Sequence, residues 1–397
     1  MRRALLIIAL ASAGSLAAAG GASAARVVTW ETKSAFVDPG KERFNNPPPG
    51  RPPRPNALRV NVYLPDGYDG ERSFPVLYLL HGHGDAYDSW VNPPNGDLLR
   101  VARGFPGIIV MPEGARAWYT NWWSGGARRP GWERYHLDEL VRVVERRLRI
   151  RPGRRWRAIA GLSMGGEGAM FYATQRPGYF GAAASFSGVL SLQRAEWPQA
   201  FNTQGEDHQD VFGDPEAQRF YWTGHNPTAL VQNLRYTRVY VTVGDGTPRS
   251  PDELTNAVGG LAEAELRQHA DDFVRAARSR GLDVTYKPRQ GIHDWPYWRE
   301  HLADAIGWGF FRRVAERPVR WSYRTVQQRS KAYQFTFTMR DAPSRLITFS
   351  REGGRIRGSG SGVVKVKMRR RRSFKTALPF DRKLPPKRRK KLAKSGK

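Results

Sequence analysis

Apolar and polar positions alternate along this chain in two different rhythms, and the change between them is the first thing the sequence shows. From Ala57 onward, short apolar runs alternate with amphipathic stretches. Ala57 to Leu64, Phe74 to Leu80, Gly107 to Met111, Trp156 to Ala160, Phe180 to Phe186, Thr237 to Val243 and Leu282 to Tyr286 read as strands. Glu133 to Ile150 reads as a helix with Leu137, Leu140, Val141, Val144 and Leu148 on one face. Leu261 to Arg280 and Trp295 to Val314 read as further helices, with Leu266, Phe273, Val274 and Ala277 inside the first. Strands alternating with helices predict an α/β fold whose mostly parallel sheet is covered on both faces. Ser191 to Arg235 shows no strong period and reads as an irregular excursion over the site.

Beyond Pro318 the period becomes two. Tyr333, Phe335, Phe337 and Met339 alternate with polar residues, as do Val364, Val366 and Met368, and Gly353-Gly354 and Gly358 to Gly362 supply turns. This predicts a small antiparallel β domain at 317–383, after a catalytic domain at 57–316, and then a disordered basic tail at 384–397. Because the period changes near Pro318, the sequence also predicts that a chain cut after about Arg317 folds and works without the β domain.

The segment before Ala57 divides in two. Residues 1–24 carry Arg2 and Arg3, an apolar run from Leu5 to Leu10 and a small-residue site at Ala22-Ser23-Ala24, the pattern of a secretory signal peptide. The run is shorter than a membrane span. Residues 25–56 read as a proline-rich segment, extended from Pro47 to Pro55. The expected location is therefore outside the cell or at the cell wall. The chain has no cysteine, so disulfides and thiolate metal sites are excluded. From Arg317 to the end, 26 Lys and Arg face 3 Asp and Glu, a net of +23, which leaves +6 for everything before it. The basic character belongs to the β part. It suits contact with an anionic cell-wall polymer or lipid surface, or a merely solubilising tail, better than nucleic acid in an exported protein.

One motif carries chemistry. Gly161-Leu162-Ser163-Met164-Gly165-Gly166 lies between an apolar strand and a helix-forming segment, the context of a nucleophile elbow. The turn raises the Ser163 hydroxyl and puts the Met164 N–H at a helix N-terminus, where an oxyanion is stabilised. A serine nucleophile needs a base, and the base needs an orienting carboxylate. Of the downstream histidines, His269 and His301 fall inside helices, and His208 and His225 in the excursion. His293 follows the last strand directly, where a loop can present it above the elbow. For the acid, Asp245 follows strand 237–243 but also suits a plain Gly-Asp-Gly turn, whereas Glu263 and Glu265 begin the next helix and could simply pair with Arg267 and His269. The second oxyanion donor is expected in His81-Gly82-His83-Gly84-Asp85, at the His83 N–H. These residues could also be read as a metal site, but no third ligand cluster accompanies them, and neither metal nor cofactor is expected. Trp122, Trp123, Trp295 and Trp298 are candidates for a substrate pocket or for core.

Together, Leu79 to Gly82, Asn121-Trp122-Trp123, Gly161 to Gly166, Gly244-Asp245-Gly246-Thr247-Pro248 and Gly291 to Trp298 resemble the secreted serine esterases of the α/β-hydrolase fold that include esterase D, feruloyl esterases and the trehalose mycolyltransferases. The resemblance runs from about Arg59 to Phe311. It implies ester hydrolysis through a Ser–His–acid triad, or acyl transfer to a sugar or glycerol hydroxyl. The mycolyltransferase pattern places the acid on Glu263, counting back from Phe273, while the feruloyl-esterase pattern favours Asp245; Glu263 is preferred. The mycolyltransferases hold trehalose partly through an aspartate and an arginine in the first oxyanion loop. His81 and Gly84 stand in those places here, which points away from trehalose. A third possibility is a wall-binding protein on a retired hydrolase scaffold, which intact Ser163 and His293 argue against.

Overall fold

The computed structural model describes residues 23–40, 57–124, 129–203 and 207–386. Most of the signal-like segment, the proline-rich connector and most of the basic tail lie outside the described residues. The strands are β1 (Arg26–Lys33), β2 (Ala57–Leu64), β3 (Val76–Leu80), β4 (Ile108–Pro112), β5 (Arg157–Leu162), β6 (Ala182–Phe186), β7 (Arg238–Val243) and β8 (Val284–Pro288). They form one sheet of eight in the order β1-β2-β4-β3-β5-β6-β7-β8. β1 and β2 run antiparallel to their neighbours, and the six strands from β4 to β8 are parallel. The central strands are apolar at nearly every position because both faces are covered. One face packs on the helix Met164–Gln175 and the helix Ala257–Arg278, the other on the helix Trp295–Trp308. No helix among the described residues is long and apolar enough to cross a membrane.

Two expectations change. Residues 26–33 fall in the segment that the sequence pattern sets before the catalytic domain, yet they form the edge strand β1, paired with all of β2. Val28 and Trp30 pack against the sheet core, and Thr32 Oγ1 shares a hydrogen bond with Tyr135 Oη at 2.7 Å. The closing helix ends at Trp308 instead of Val314. Gly309 takes φ 83°, which turns the chain so that Phe310 and Phe311 pack back on the core. The amphipathic stretch from residue 133 is helical but passes through a π-helical turn at Tyr135–Leu140.

The C-terminal part is a sandwich of two four-stranded antiparallel sheets. Its strands are β9 (Arg320–Thr325), β10 (Arg329–Ala332), β11 (Phe335–Met339), β12 (Ile347–Glu352), β13 (Arg355–Ser359), β14 (Val363–Met368), β15 (Phe374–Ala377) and β16 (Phe380–Lys383). Phe335, Phe337, Met339, Val364, Val366 and Met368 all point inward, as the period of two predicts, and Phe337 stacks on Phe349 at 3.8 Å between centroids.

This sandwich is fastened to the catalytic part. Asn233 Nδ2 donates to the Arg324 carbonyl and its Oδ1 accepts from the Arg324 N–H, both at 2.9 Å. Tyr323 Oη donates to the Gln175 carbonyl, Tyr236 Oη to the Arg320 carbonyl, and Gln327 Nε2 to Glu133 Oε2 at 2.7 Å. Gly224 and Gly178 are packed so closely by Val326 and Tyr333 that a Cβ at either would come to 2.3 Å. The buried Arg154 guanidinium donates to the carbonyls of Phe180, Tyr236 and Ala315 on the catalytic side and lies 5.8 Å from the centroid of the Tyr333 ring across the join.

Candidate active site

β5 runs into Ser163, and the helix Met164–Gln175 starts at the next residue. Ser163 sits at φ 51°, ψ −121°, a sparsely populated conformation for a residue with a side chain. The flanking glycines are required by contact. A Cβ on Gly161 would come to 2.2 Å of the Gly165 carbonyl oxygen, and one on Gly165 to 2.4 Å of the His81 carbonyl oxygen. The elbow is therefore pressed against both its own helix and the loop after β3.

His293 stands between the serine and a carboxylate. Its Nε2 lies 3.0 Å from Ser163 Oγ and its Nδ1 2.7 Å from Glu263 Oε2. With the imidazole neutral, Nδ1–H donates to Glu263 and Nε2 accepts from the serine hydroxyl, the tautomer a general base requires. Glu263 is fully buried on the helix Ala257–Arg278. Its other oxygen accepts from Ser187 Oγ at 2.6 Å and from the Gly244 N–H at 2.5 Å. Burial pushes this carboxyl up, but the hydrogen bonds and charge of His293, with those of Ser187 and Gly244, outweigh it and hold the group below the usual carboxylate value.

The alternatives lie elsewhere. Asp245 Oδ1 accepts from the Thr247 N–H at 2.8 Å and the Gly291 N–H at 3.3 Å, so it braces a turn. Glu265 lies 3.8 Å from His269 on its own helix. Arg267 pairs with Asp271, leaving Glu263 to the histidine.

Ser187 was not anticipated from the sequence. It follows β6 at a positive φ of 51° and receives a 3.3 Å hydrogen bond from Trp298 Nε1 as it donates to Glu263. Its only signal is its place at the carboxyl end of a central parallel strand, where sites of such folds gather.

The loop after β3, where the second oxyanion donor is expected, is held from several sides. Gly82 touches the elbow: a Cβ there would come to 3.4 Å of Ser163 Cβ and 2.4 Å of Leu162 Cδ1. The Gly82 N–H donates to Asp85 Oδ2 at 3.0 Å, Tyr119 Oη donates to the His81 carbonyl at 3.0 Å, and Trp90 Nε1 to the Leu80 carbonyl at 3.0 Å. His81 is buried, with Nδ1 2.9 Å from the Gly82 carbonyl and Nε2 accepting from the Gly114 N–H at 2.9 Å. Both of its ring nitrogens are thus engaged by backbone. Met164 is the first residue of its helix, so its N–H has no intrahelical acceptor. His83 follows Gly82 in the loop, its ring 6.1 Å from that of Trp118.

The tryptophans separate. Trp298 packs edge-on against His293 at 4.8 Å and against Trp295 at 5.4 Å, beside the histidine loop. Trp123 packs on Phe220 and Tyr221, and Trp122 donates to the Ala117 carbonyl, within the loops around residue 120.

Residues 55–308 match the Esterase family, described as "Putative esterase". The chain belongs to this family. It is 35% identical over 231 residues to the esterase Rv1288 of Mycobacterium tuberculosis, an alignment covering 56% of this chain and 49% of the relative. The chain thus spans about half the length of that curated relative. It is 28% identical over 246 residues to the diacylglycerol acyltransferase/mycolyltransferase Ag85C of Mycobacterium avium, covering 57% of this chain and 67% of the relative. Among solved structures, the fluorophosphonate-binding serine hydrolase FphF of Staphylococcus aureus superposes with a TM-score of 0.54 at 18% identity, over 72% of this chain and 98% of that one. MPT51 of Mycobacterium tuberculosis superposes with a TM-score of 0.53 at 24% identity, over 70% of this chain and all of that one. These superpositions establish the α/β-hydrolase fold.

Proposed function

We propose that this protein is a secreted serine esterase that hydrolyses carboxylic esters through an acyl-enzyme. The observation that carries the reading is the hydrogen-bonded chain Ser163–His293–Glu263, with both links at 3.0 Å or less. In the proposed mechanism Ser163 Oγ attacks the ester carbonyl as its proton passes to His293 Nε2. The tetrahedral oxyanion rests on the N–H groups of Met164 and His83. His293 returns the proton to the departing alkoxide, which leaves as the alcohol. Water then gives its proton to His293 and attacks the acyl-serine. The second tetrahedral intermediate collapses to the free acid and Ser163, which recovers its proton. Glu263 fixes the imidazole tautomer and balances the imidazolium charge.

Acyl transfer is the second reading, favoured by the similarity to Ag85C. It needs the same residues, with a sugar or glycerol hydroxyl replacing water. A retired scaffold is disfavoured, because an unused serine would have no need of the strained backbone at Ser163. Export rests on the signal-like pattern of residues 1–24. Attachment to an anionic surface rests on the outer side of the β10-β11-β14-β15 sheet, where exposed Arg329, Lys365, Lys367 and Lys375 stand without an acid among them.

The test is turnover of a panel of short, long and aromatic esters, with and without sugar acceptors, alongside fluorophosphonate labelling. Ser163→Ala and His293→Ala should each lower kcat on the order of 10⁴-fold or more, and Ser163→Ala should also abolish labelling. A folded Ser163→Ala protein that kept most of its activity would sink the mechanism.

A further inference from the structure

A groove of about 380 Å³ opens where β9 of the sandwich meets the catalytic domain, with Arg235, Arg280, Arg324, Gln232, Ser322 and Thr348 on its walls. The three arginines come from three separate elements. Arg235 follows the turn Val231–Leu234, Arg280 lies just past the helix Ala257–Arg278, and Arg324 is on β9. Several half-buried arginines elsewhere in this protein have a carboxylate: Arg157 has Glu145, Arg176 has Asp138, Arg194 has Asp272, and Arg289 has Asp304, while Arg154 and Arg238 donate to backbone carbonyls. Among the described residues, no carboxylate pairs with Arg235, Arg280 or Arg324. The nearest acid in sequence, Asp283, lines the neighbouring hollow with Arg238.

Gathering like charges without an acid is unfavourable. Burial and the charge of Arg280 together pull the Arg324 guanidinium below its ordinary value. Yet two of the three arginines are held in place. Arg280 donates to the Ala276 carbonyl at 3.0 Å, Arg324 donates to the Ala229 carbonyl at 3.3 Å, and the Arg324 backbone is fixed by Asn233. Guanidinium forks match the oxygens of a phosphoryl group two at a time, and the hydroxyls of Ser322 and Thr348 with the Gln232 amide supply neutral donors beside them. A compact group carrying two or more negative charges offsets this crowding. A single carboxylate supplies only one.

We propose that this groove is an anion-binding site for a phosphate-bearing ligand, formed jointly by the two domains. It is separate from the serine chemistry. Glu263 is near one end of the helix and Arg280 beyond the other, roughly 25 Å apart at 1.5 Å per residue. The inference stands whether or not the esterase reading does.

The experiment is calorimetric titration of the full chain with inorganic pyrophosphate at low salt, with citrate as a polycarboxylate arm. Arg280→Gln and Arg235→Gln are compared with Lys375→Gln, which removes the same charge from the sandwich face. Saturable binding is expected in the parent and the Lys375 variant, with affinity about tenfold or more weaker in either arginine variant, since a single charge-assisted hydrogen bond is worth a factor of that order. Removing a repelling arginine should leave folding intact, which thermal melting in phosphate-free buffer checks. If Arg280→Gln nonetheless fails to fold, the exposed Arg235 carries the test alone. Three results would overturn the proposal: no saturable binding to the parent, equal weakening in the Lys375 variant, or citrate binding that matches or exceeds pyrophosphate.

Discussion

The catalytic part and the sandwich treat charge in opposite ways. Around the sheet of eight strands several half-buried arginines are paired with carboxylates, and the candidate triad carboxylate, Glu263, is fully buried with three donors on it. In the sandwich all three acids are already claimed: Asp341 by Arg340, Glu352 by Arg357, and Asp381 by Arg355 and Arg357. What remains on its other sheet is cationic and unbalanced. Lys365 even stands directly opposite Lys375 across β14 and β15, a pairing that costs stability in the absence of an anion. The difference teaches that one region is built to hold a charge arrangement within itself, and the other to present one outward.

The comparison breaks first at the acid. If the catalytic part owes its chemistry to the buried carboxylate, Glu263→Gln should lower kcat on the order of 10³–10⁴-fold, because an amide can no longer select the tautomer or balance the imidazolium. Asp245→Asn should cost only a few-fold, since its carboxylate holds the turn at Thr247 and Gly291. Steady-state kinetics of the two variants on one soluble ester decides this. A crippled Asp245→Asn beside a mild Glu263→Gln would reverse the assignment.

How far the sequence reached follows from the range over which each feature is set. Ser163 is legible because its demands are local: the glycines, the strand before and the helix after all lie within a few residues. His293 is legible by elimination, since the other downstream histidines fall in helices or in the excursion. Glu263 could only be preferred over Asp245, because one lies on the helix after the strand and the other in the turn just past it, and what separates them is burial, which no short window reveals. Ser187 was missed for the same reason, as its value comes from Glu263, 76 residues away. β1 was missed because an edge strand is recognised by its partner, and β2 is separated from it by the proline-rich stretch. The period of two gave the sandwich its inward residues correctly but said nothing of the groove, which exists only where two domains meet.

The second test addresses whether the two regions are separable at all. The change of period near Pro318 predicts a clean cut, but the contacts across the join argue otherwise. Removing the sandwich would strip Asn233 of both partners on Arg324, open the close packing at Gly224 and Gly178, and release the end of the elbow helix at Gln175 from Tyr323. A chain ending at Arg317 should therefore melt lower by roughly 10 °C, the equivalent of about 3–5 kcal/mol for a domain of this size, and aggregate more readily. Melting the two chains side by side checks this. An unchanged Tm with unchanged activity would make the sandwich an appendage.

The smallest effect lies at the join itself, on Glu133. It is buried in the catalytic part, and its Oε2 accepts from Asn121 Nδ2 at 2.9 Å and from Gln327 of the sandwich at 2.7 Å. Burial raises its pKa to about 8, with the charge of Arg176 opposing. Below the ordinary carboxylate range both folded and unfolded chains hold this proton, so its contribution to stability is fully present there. Between that range and about pH 8 the unfolded chain releases the proton while the folded chain keeps it, so stability falls as pH rises and the contribution is lost through about 8. Glu133→Gln keeps an oxygen for both donors and removes the ionisation. The difference in stability between variant and parent should therefore grow in favour of the variant from pH 5 to pH 9, reaching on the order of 2–4 kcal/mol. Denaturant midpoints measured across that range read it directly. A pH-independent difference would mean that the carboxyl ionises normally in the folded chain, and that the join between the two regions admits water where the structure shows it closed.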